Sequence, residues 1–367
     1  MAVERTLRAQ VLDLSRPSGI EIEIEVAEAA EVLMSICALG DRGDHDTLDL
    51  GADWLRGTLD AVPPDLLAAV DELTLGSMKV AAHLLGIVLE TPSPRTFAAF
   101  LERLEQTDPV ELKLHLFGAY GSSFSHLAGP EVIERAARGD AEAQRLFLDS
   151  LAEYSDKYET TRTLLELGAT EVQARLLDLL PRWFEQVFAP NAGVWREAAE
   201  RDAESKRALA TTHSPDQLVE IAARGYQYAP PPEIRTLALF PSWWMRPWVI
   251  LWEHKGTKIF CYPIAAPAEE GVPPVEVARI YKALGDEGRL KLLRRLSDGP
   301  LKLTDAAAEL GVAKSTAHHH LAILRRAGFV AIRDEGENVY SIRRDLPQTG
   351  DLLSAYLGSS RSSATSA

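Results

Sequence analysis

Apolar positions along this chain change period several times, and each change marks a different predicted element. Residues 7–14 and 20–26 alternate, joined by Ser15-Arg16-Pro17-Ser18-Gly19. In the second segment Ile20, Ile22, Ile24 and Val26 share one face and Glu21, Glu23 and Glu25 the other, the period of a half-buried strand. The pair predicts an N-terminal hairpin. From residue 27 to 225 the period is helical, with start signals at Ser93-Pro94, Asp108-Pro109 and Ser214-Pro215, where proline loses no hydrogen bond in a first turn. This predicts about nine to eleven helices in an irregular bundle, without the fixed repeat of a solenoid.

Strand composition returns at 234–264, with Thr236-Leu237-Ala238-Leu239-Phe240, Trp248-Val249-Ile250-Leu251-Trp252 and Lys258-Ile259-Phe260-Cys261-Tyr262. Lys255-Gly256-Thr257 turns between the last two, which predicts a three-stranded meander that the N-terminal hairpin is available to complete. Residues 265–274, rich in proline, alanine and glutamate, have linker composition. From 281 to 324 three short helical patterns follow, and 329–342 alternates as a β-hairpin. Gly311, in Leu310-Gly311-Val312, supplies the left-handed residue of a tight helix-turn-helix corner, and Glu335-Gly336-Glu337-Asn338 forms the hairpin tip. A short helix at 351–357 and a disordered tail, 358–367, close the chain.

Helix, turn, helix and wing form a DNA-reading arrangement, and these residues resemble the winged-helix domain of ArsR-type transcriptional regulators. The resemblance rests on Ala283-Leu284-Gly285-Asp286 with Arg289 and Leu290, on Ala308-Glu309-Leu310-Gly311-Val312, and on Ser315-Thr316 with His319 and Leu321. It continues through Leu324-Arg325-Arg326-Ala327-Gly328-Phe329-Val330 to Gly336 and Val339-Tyr340. It covers roughly a fifth of the 367 residues. A looser resemblance, marked by the Phe240-Pro241-Ser242 turn and the strands ending in Tyr262-Pro263, is to ArsR-type regulators that carry a large domain ahead of the winged helix. The expected fold class is mainly α with small β elements. A helical α+β domain, 1–264, precedes the linker, 265–274, a winged helix-turn-helix domain, 275–346, and a short helix and tail, 347–367.

Composition supports a two-part chain, since 367 residues with 46% apolar exceed what one core usually organises. Two cysteines, Cys37 and Cys261, cannot build a disulfide framework, and MAVERTLRAQ lacks the apolar run of a signal peptide; both point to the cytoplasm. Residues 243–252 are too few to cross a bilayer and include Arg246, so no membrane partner is expected. The net charge of −15 argues against nucleic acid until it is located. Residues 1–271 hold 43 acidic and 25 basic residues, whereas 272–346 hold 10 and 13. The acidity belongs to the front domain, and the winged helix is slightly basic on its own.

The recognition helix is expected to open near Lys314, with Ala317, Leu321 and Leu324 buried. The 100° step then puts Ser315, His319, Ala322 and Arg326 opposite, Thr316 and His318 on the shoulders, and His320 beside the core. Lys314, Ser315, Thr316, His318, His319 and Arg326 are the expected contacts of the helix with DNA, and Arg333, Asn338 and Arg343 those of the wing. The bland alternative is a solvated polar face. Thr304 is placed to cap the preceding helix.

His318, His319 and His320 cannot chelate together, because helix neighbours point about 100° apart. Where ArsR-type sensors place cysteines this chain has Lys302, Leu303 and Thr304, and no histidine follows His320. No metal and no cofactor are expected. A small-molecule effector is assigned to the front domain, with Trp243, Trp244, Arg246, Trp248, Trp252 and Tyr262 as candidate pocket residues near Phe240. They serve equally well as a core or a partner interface. Two histidine sets, His115 and His126 near Ser122, Ser123 and Ser125, and His83 with Glu90, accompany no catalytic motif, so no enzyme is expected.

The expectation is a cytoplasmic bacterial regulator, a repressor and homodimer, binding a near-palindromic double-stranded operator under control of a ligand or partner of the front domain. The alternative is an interaction protein in which the winged helix docks a partner and the acidic domain is a scaffold.

Overall fold

The computed structural model describes residues 19–40, 45, 47–74, 78–121, 127–152, 155–264, 275–334, 338–343, 346–347 and 349–362. The chain is mostly helical with two small sheets. At the centre of the front part lies the helix Glu28–Gly40, buried throughout residues 29–39. Its sequence EAAEVLMSICALG is apolar nearly all round, so the helix has no solvent face to offer and other elements enclose it. Phe100, Phe147, Trp183, Phe188 and Trp195 fill the space around it, each at most 1% exposed.

Thirteen α-helices occur between Glu28 and Ala222 among the described residues, more and shorter than the periodicity predicts. The apolar stretch around His83 shows why. It reads as continuous, yet it divides at Leu84 into Met78–His83 and Leu85–Glu90. Asp108 caps Pro109–Leu116 by accepting from Val110 N–H at 2.9 Å, and Ser214 with Gln217 forms a capping box ahead of Pro215–Ala222. Ser93-Pro94 starts no helix. It is a cis turn, and Phe97–Gln106 begins after Thr96, whose hydroxyl accepts from Ala99 N–H at 3.2 Å.

The strands are β1 (Glu21–Ile24), β2 (Tyr226–Gln227), β3 (Thr236–Ser242), β4 (Ile250–His254), β5 (Thr257–Pro263), β6 (Leu301–Lys302), β7 (Val330–Asp334) and β8 (Asn338–Ile342). In the first sheet the order is β1-β3-β5-β4. This corrects the meander: β5 lies between β3 and β4, parallel to β3 and antiparallel to β4. The reason is burial. β3 and β5 are apolar on both faces and take the middle, whereas β4 is mostly half-buried and takes an edge.

β1 joins β3 in parallel, and the other half of the expected hairpin, 7–14, lies outside the described residues, as do the linker 265–274 and the wing tip 335–337. The acidic face of β1 is not simply solvated. Glu23 and Glu25 both bind the Arg95 guanidinium, whose side chain is 8% exposed and lies 5.7 Å from the Phe240 ring centroid.

The second core contains Ile280, Leu292, Leu296, Leu301, Ala317, Leu321, Leu324, Val330 and Tyr340. Its sheet runs β2-β7-β8-β6, and β2 comes from the front part. Tyr226 pairs with Ile332 and Gln227 with Arg333 in parallel register, and the Tyr226 side chain packs against both cores. The last helix, Thr349–Ser362, runs past the limit of 357 read from composition, with Leu352 packed on the second core. No helix among the described residues is long and apolar enough to cross a membrane.

Candidate nucleic-acid interface

The helix-turn-helix consists of Leu303–Leu310 and Lys314–Arg326. β6 passes straight into the first of these, so the helix starts before Thr304 can cap it. Lys302 holds the cap position instead, and the Asp305 carboxylate accepts from Lys302 N–H at 3.3 Å. Gly311 ends the helix at φ 65 and ψ 34, the left-handed conformation the corner requires. A side chain added there meets nothing within 4 Å, so any penalty is one of backbone conformation. Gly311→Val is expected to destabilise the C-terminal unit by about 1–2 kcal/mol, measured as a lower urea midpoint with unchanged m-value.

In the second helix Ala317, Leu321 and Leu324 are fully buried, while Lys314, Ser315, Thr316, His318 and His319 are exposed. Its first turn and a half therefore offers a cation, two hydroxyls and two imidazoles to solvent. His320 is half-buried, with Nδ1 3.7 Å from Asp286, the residue that caps Glu287–Ser297 by accepting from Arg289 N–H. Arg289 in turn donates to the carbonyls of Ala283 and Lys282, fixing the helix against its predecessor.

The other candidates divide. Asn338 is exposed on the wing. Arg326 turns toward the front part: its guanidinium lies 4.9 Å from the Trp248 ring centroid and donates to the Thr47 carbonyl at 3.3 Å. Arg333 donates to Gln227 of β2 at 3.2 Å, and Arg343 runs beside Gly225, where an added side-chain carbon would come within 3.0 Å of it. These three basic residues thus lie along the seam between the two cores, a placement that helical and strand periodicity cannot reveal.

Sequence reasoning missed the groups that complete this seam. Arg279, on Val275–Leu284, binds the Asp49 carboxylate and donates to the Arg326 carbonyl at 3.3 Å. Asp49 N–H donates to the Arg246 carbonyl at 2.8 Å, and Trp248 donates to the Thr47 hydroxyl at 2.9 Å. A chain of contacts therefore runs from the front core to the end of the recognition helix.

The six residues assigned to a ligand pocket face different surroundings. Trp243 stacks under Arg246, with the guanidinium 3.5 Å from its ring centroid, and Trp244 packs on Trp54. Trp248 meets Arg326, and Trp252 stacks on His83 at 4.2 Å. Tyr262 is buried beside Asp202 and Lys206, and burial raises its hydroxyl pKa far above the ordinary value. Two of the six share a buried support, since Glu31 accepts from Trp243 N–H at 2.7 Å and Trp244 N–H at 3.0 Å. Burial pushes the Glu31 carboxyl up to about 8, against the lowering effect of Ser242, these amides and Arg246. Burial lowers Arg246 to about 10, so it stays charged at neutral pH.

Of the two histidine sets, 122–126 lies outside the described residues. His83 does not bind Glu90; it bonds to the Leu116 carbonyl. Glu90 instead gathers His254 (2.9 Å), Lys255 (2.6 Å) and Arg103 (2.6 Å), with His115 at 3.9 Å. Burial tends to raise the Glu90 carboxyl, and these donors overcome it and hold it at about 2. Burial and the neighbouring His254 press His115 down to about 3, so it is neutral. Glu90, His115 and His254 offer ligand atoms within 4.8 Å of one another. The donor types suit a divalent metal, but Lys255 and Arg103 already neutralise the one carboxylate, and the arrangement closes as a buried ion-pair hub.

Fold and exposed helix together define a winged helix-turn-helix unit. Residues 286–331 match the arsR family of bacterial regulatory proteins. An uncharacterized HTH-type transcriptional regulator, YceK of Bacillus subtilis, is 39% identical over 75 residues, 20% of this chain and 75% of that protein. MJ1325 of Methanocaldococcus jannaschii, also described as an uncharacterized HTH-type transcriptional regulator, is 40% identical over 72 residues, 19% of this chain and 81% of that protein. A cadmium resistance transcriptional regulatory protein CadC homolog of Staphylococcus aureus is 40% identical over 68 residues, 18% of this chain, which spans 56% of that relative. The chain belongs to the arsR family. No solved structure matches it.

Proposed function

We propose that this protein is a cytoplasmic transcriptional repressor that binds a near-palindromic operator as a homodimer, with Lys314, Ser315, Thr316, His318 and His319 entering the major groove. The observation that carries the reading is the exposure of all five on the first turns of a helix whose opposite face, Ala317, Leu321 and Leu324, is buried. Asn338 extends the surface onto the wing. Two such units on a two-fold axis read half-sites about 34 Å apart. The front domain, 1–264, transmits a non-metal ligand or partner signal. Support for this comes from β2 in the wing sheet and from the Asp49 and Arg279 ion pair, both of which tie the front part to the recognition helix.

The test is selection of sites from random duplex DNA with the full chain at two salt concentrations. A two-fold consensus whose affinity falls steeply with salt is expected. Ser315→Ala combined with His319→Ala should then lower operator affinity about 100-fold with an unchanged thermal melt, each lost base contact costing about 1–3 kcal/mol. An unchanged affinity in that variant removes the recognition-helix assignment. Failure of the folded protein to enrich any sequence favours the docking-module reading.

A further inference from the structure

A cavity of about 360 Å³ lies between the front part and the C-terminal unit. Both contribute to its wall: Lys206 and Arg224 from the front, Arg279, Arg326 and Arg343 from the C-terminal unit. Asp202 is the one carboxylate among the described lining residues, and it is bound to Lys206 at 2.9 Å. Asp49, outside the wall, binds Arg279. Even after these two pairings, three guanidiniums remain in excess around one cavity. The concentration is unexpected in a chain with 54 acidic and 39 basic residues.

Bringing like charges together costs free energy that their neighbours must offset, and an anion in the cavity reverses the sign of that term. Guanidinium forks suit phosphate and carboxylate oxygens, and Ile221, Ile280 and Leu352 add apolar wall on which the body of a small organic molecule can rest. Arg224 is also held at φ 50, an uncommon conformation for a residue other than glycine. It immediately precedes Gly225, whose carbonyl accepts from Ile332 N–H of β7 at 3.1 Å.

We propose that this interdomain cavity is the effector site and that it takes a small organic anion bearing a phosphate on an apolar body. Such a ligand touches Arg224 on one side and Arg326 and Arg343 on the other, so its binding changes how the recognition helix is held against the front part. The regulatory half of this inference rests on the operator-binding reading, whereas the site itself does not, because ligand binding is measured without DNA.

Calorimetric titration of the full chain with phenyl phosphate tests the site, with inorganic phosphate and benzoate separating the contributions of charge and apolar body. Saturable phenyl phosphate binding is expected, tighter than either comparison probe and weakened at high salt. Arg224→Gln should weaken it about 10-fold, the scale of one charge-assisted hydrogen bond. Ile221→Trp, which fills the space and leaves every cation in place, should weaken it as well. Phenyl phosphate should also shift operator affinity of the parent chain and not of Ile221→Trp.

Absence of saturable binding by any of the three probes overturns the site. So does equal binding in both folded variants. If phenyl phosphate fails to bind while Arg343→Gln lowers operator affinity, the cations form a clamp for the DNA backbone and the effector proposal is wrong. Binding without any change in operator affinity keeps the site and rejects its regulatory role.

Discussion

Glu31→Ala is expected to unfold the front part at markedly lower urea, followed through the fluorescence of its buried tryptophans. Glu31 is 1% exposed and accepts the amides of Trp243 and Trp244, which have no other route to an acceptor once the turn after β3 is packed on Glu28–Gly40. Each orphaned amide costs about 1–3 kcal/mol. Together they take a large share of a stability that is typically about 5–15 kcal/mol. Glu31→Gln keeps the acceptor and should lose about 1 kcal/mol or less.

The two substitutions also differ in pH dependence. The Glu31 carboxyl is raised from 4.5 to about 8 in the folded chain. Its favourable contribution is present in full below pH 4.5 and is lost as pH rises through about 8, because the unfolded chain releases the proton first. The parent should therefore lose stability across that window by a slope that Glu31→Gln lacks. Equal slopes in the two proteins would show that Glu31 is ionised throughout.

The second large effect is expected at Glu90, with the opposite sign. Its carboxyl is held down at about 2, so its contribution is present above 4.5 and fades as pH falls toward 2. His115, pressed down from 6.5 to about 3, acts in the same direction over its own window, since the unfolded chain takes up that proton first. Glu90→Gln should cost about 2–3 kcal/mol at pH 7, below the range for a fully buried pair because Lys255 and Arg103 are partly exposed. The difference from the parent should shrink as pH drops from 4.5 toward 2, in paired urea titrations. A constant difference across that range would mean that the carboxylate charge does not hold the hub together.

Coupling between the two parts rests on short polar contacts in addition to the linker. Arg246, Asp49, Arg279 and the Arg326 carbonyl form a continuous series, and β2 adds main-chain pairing to the wing. The front part thus holds the recognition helix at its C-terminal end while its N-terminal end stays exposed. That division leaves Lys314, Ser315, Thr316, His318 and His319 available while giving the front part a direct hold on their helix.

What the amino-acid sequence determined by itself is the local geometry. The buried stripe of Ala317, Leu321 and Leu324, the left-handed Gly311 and the caps at Asp108 and Ser214 follow from helical period and backbone chemistry, each acting within a few residues. Even the burial of Glu28–Gly40 is visible in its nearly unbroken apolar composition. Tertiary structure decided which long-range neighbour each residue met. β5 passed between β3 and β4 because the two strands that are apolar on both faces belong in the middle of a sheet. Glu23 and Glu25, polar by pattern, closed on Arg95. Arg326 has the period of a DNA-facing residue, yet Trp248 and Thr47 hold it at the seam. Period fixes the face on which a side chain stands; what covers that face depends on residues far away in the chain, and no local signal specifies them.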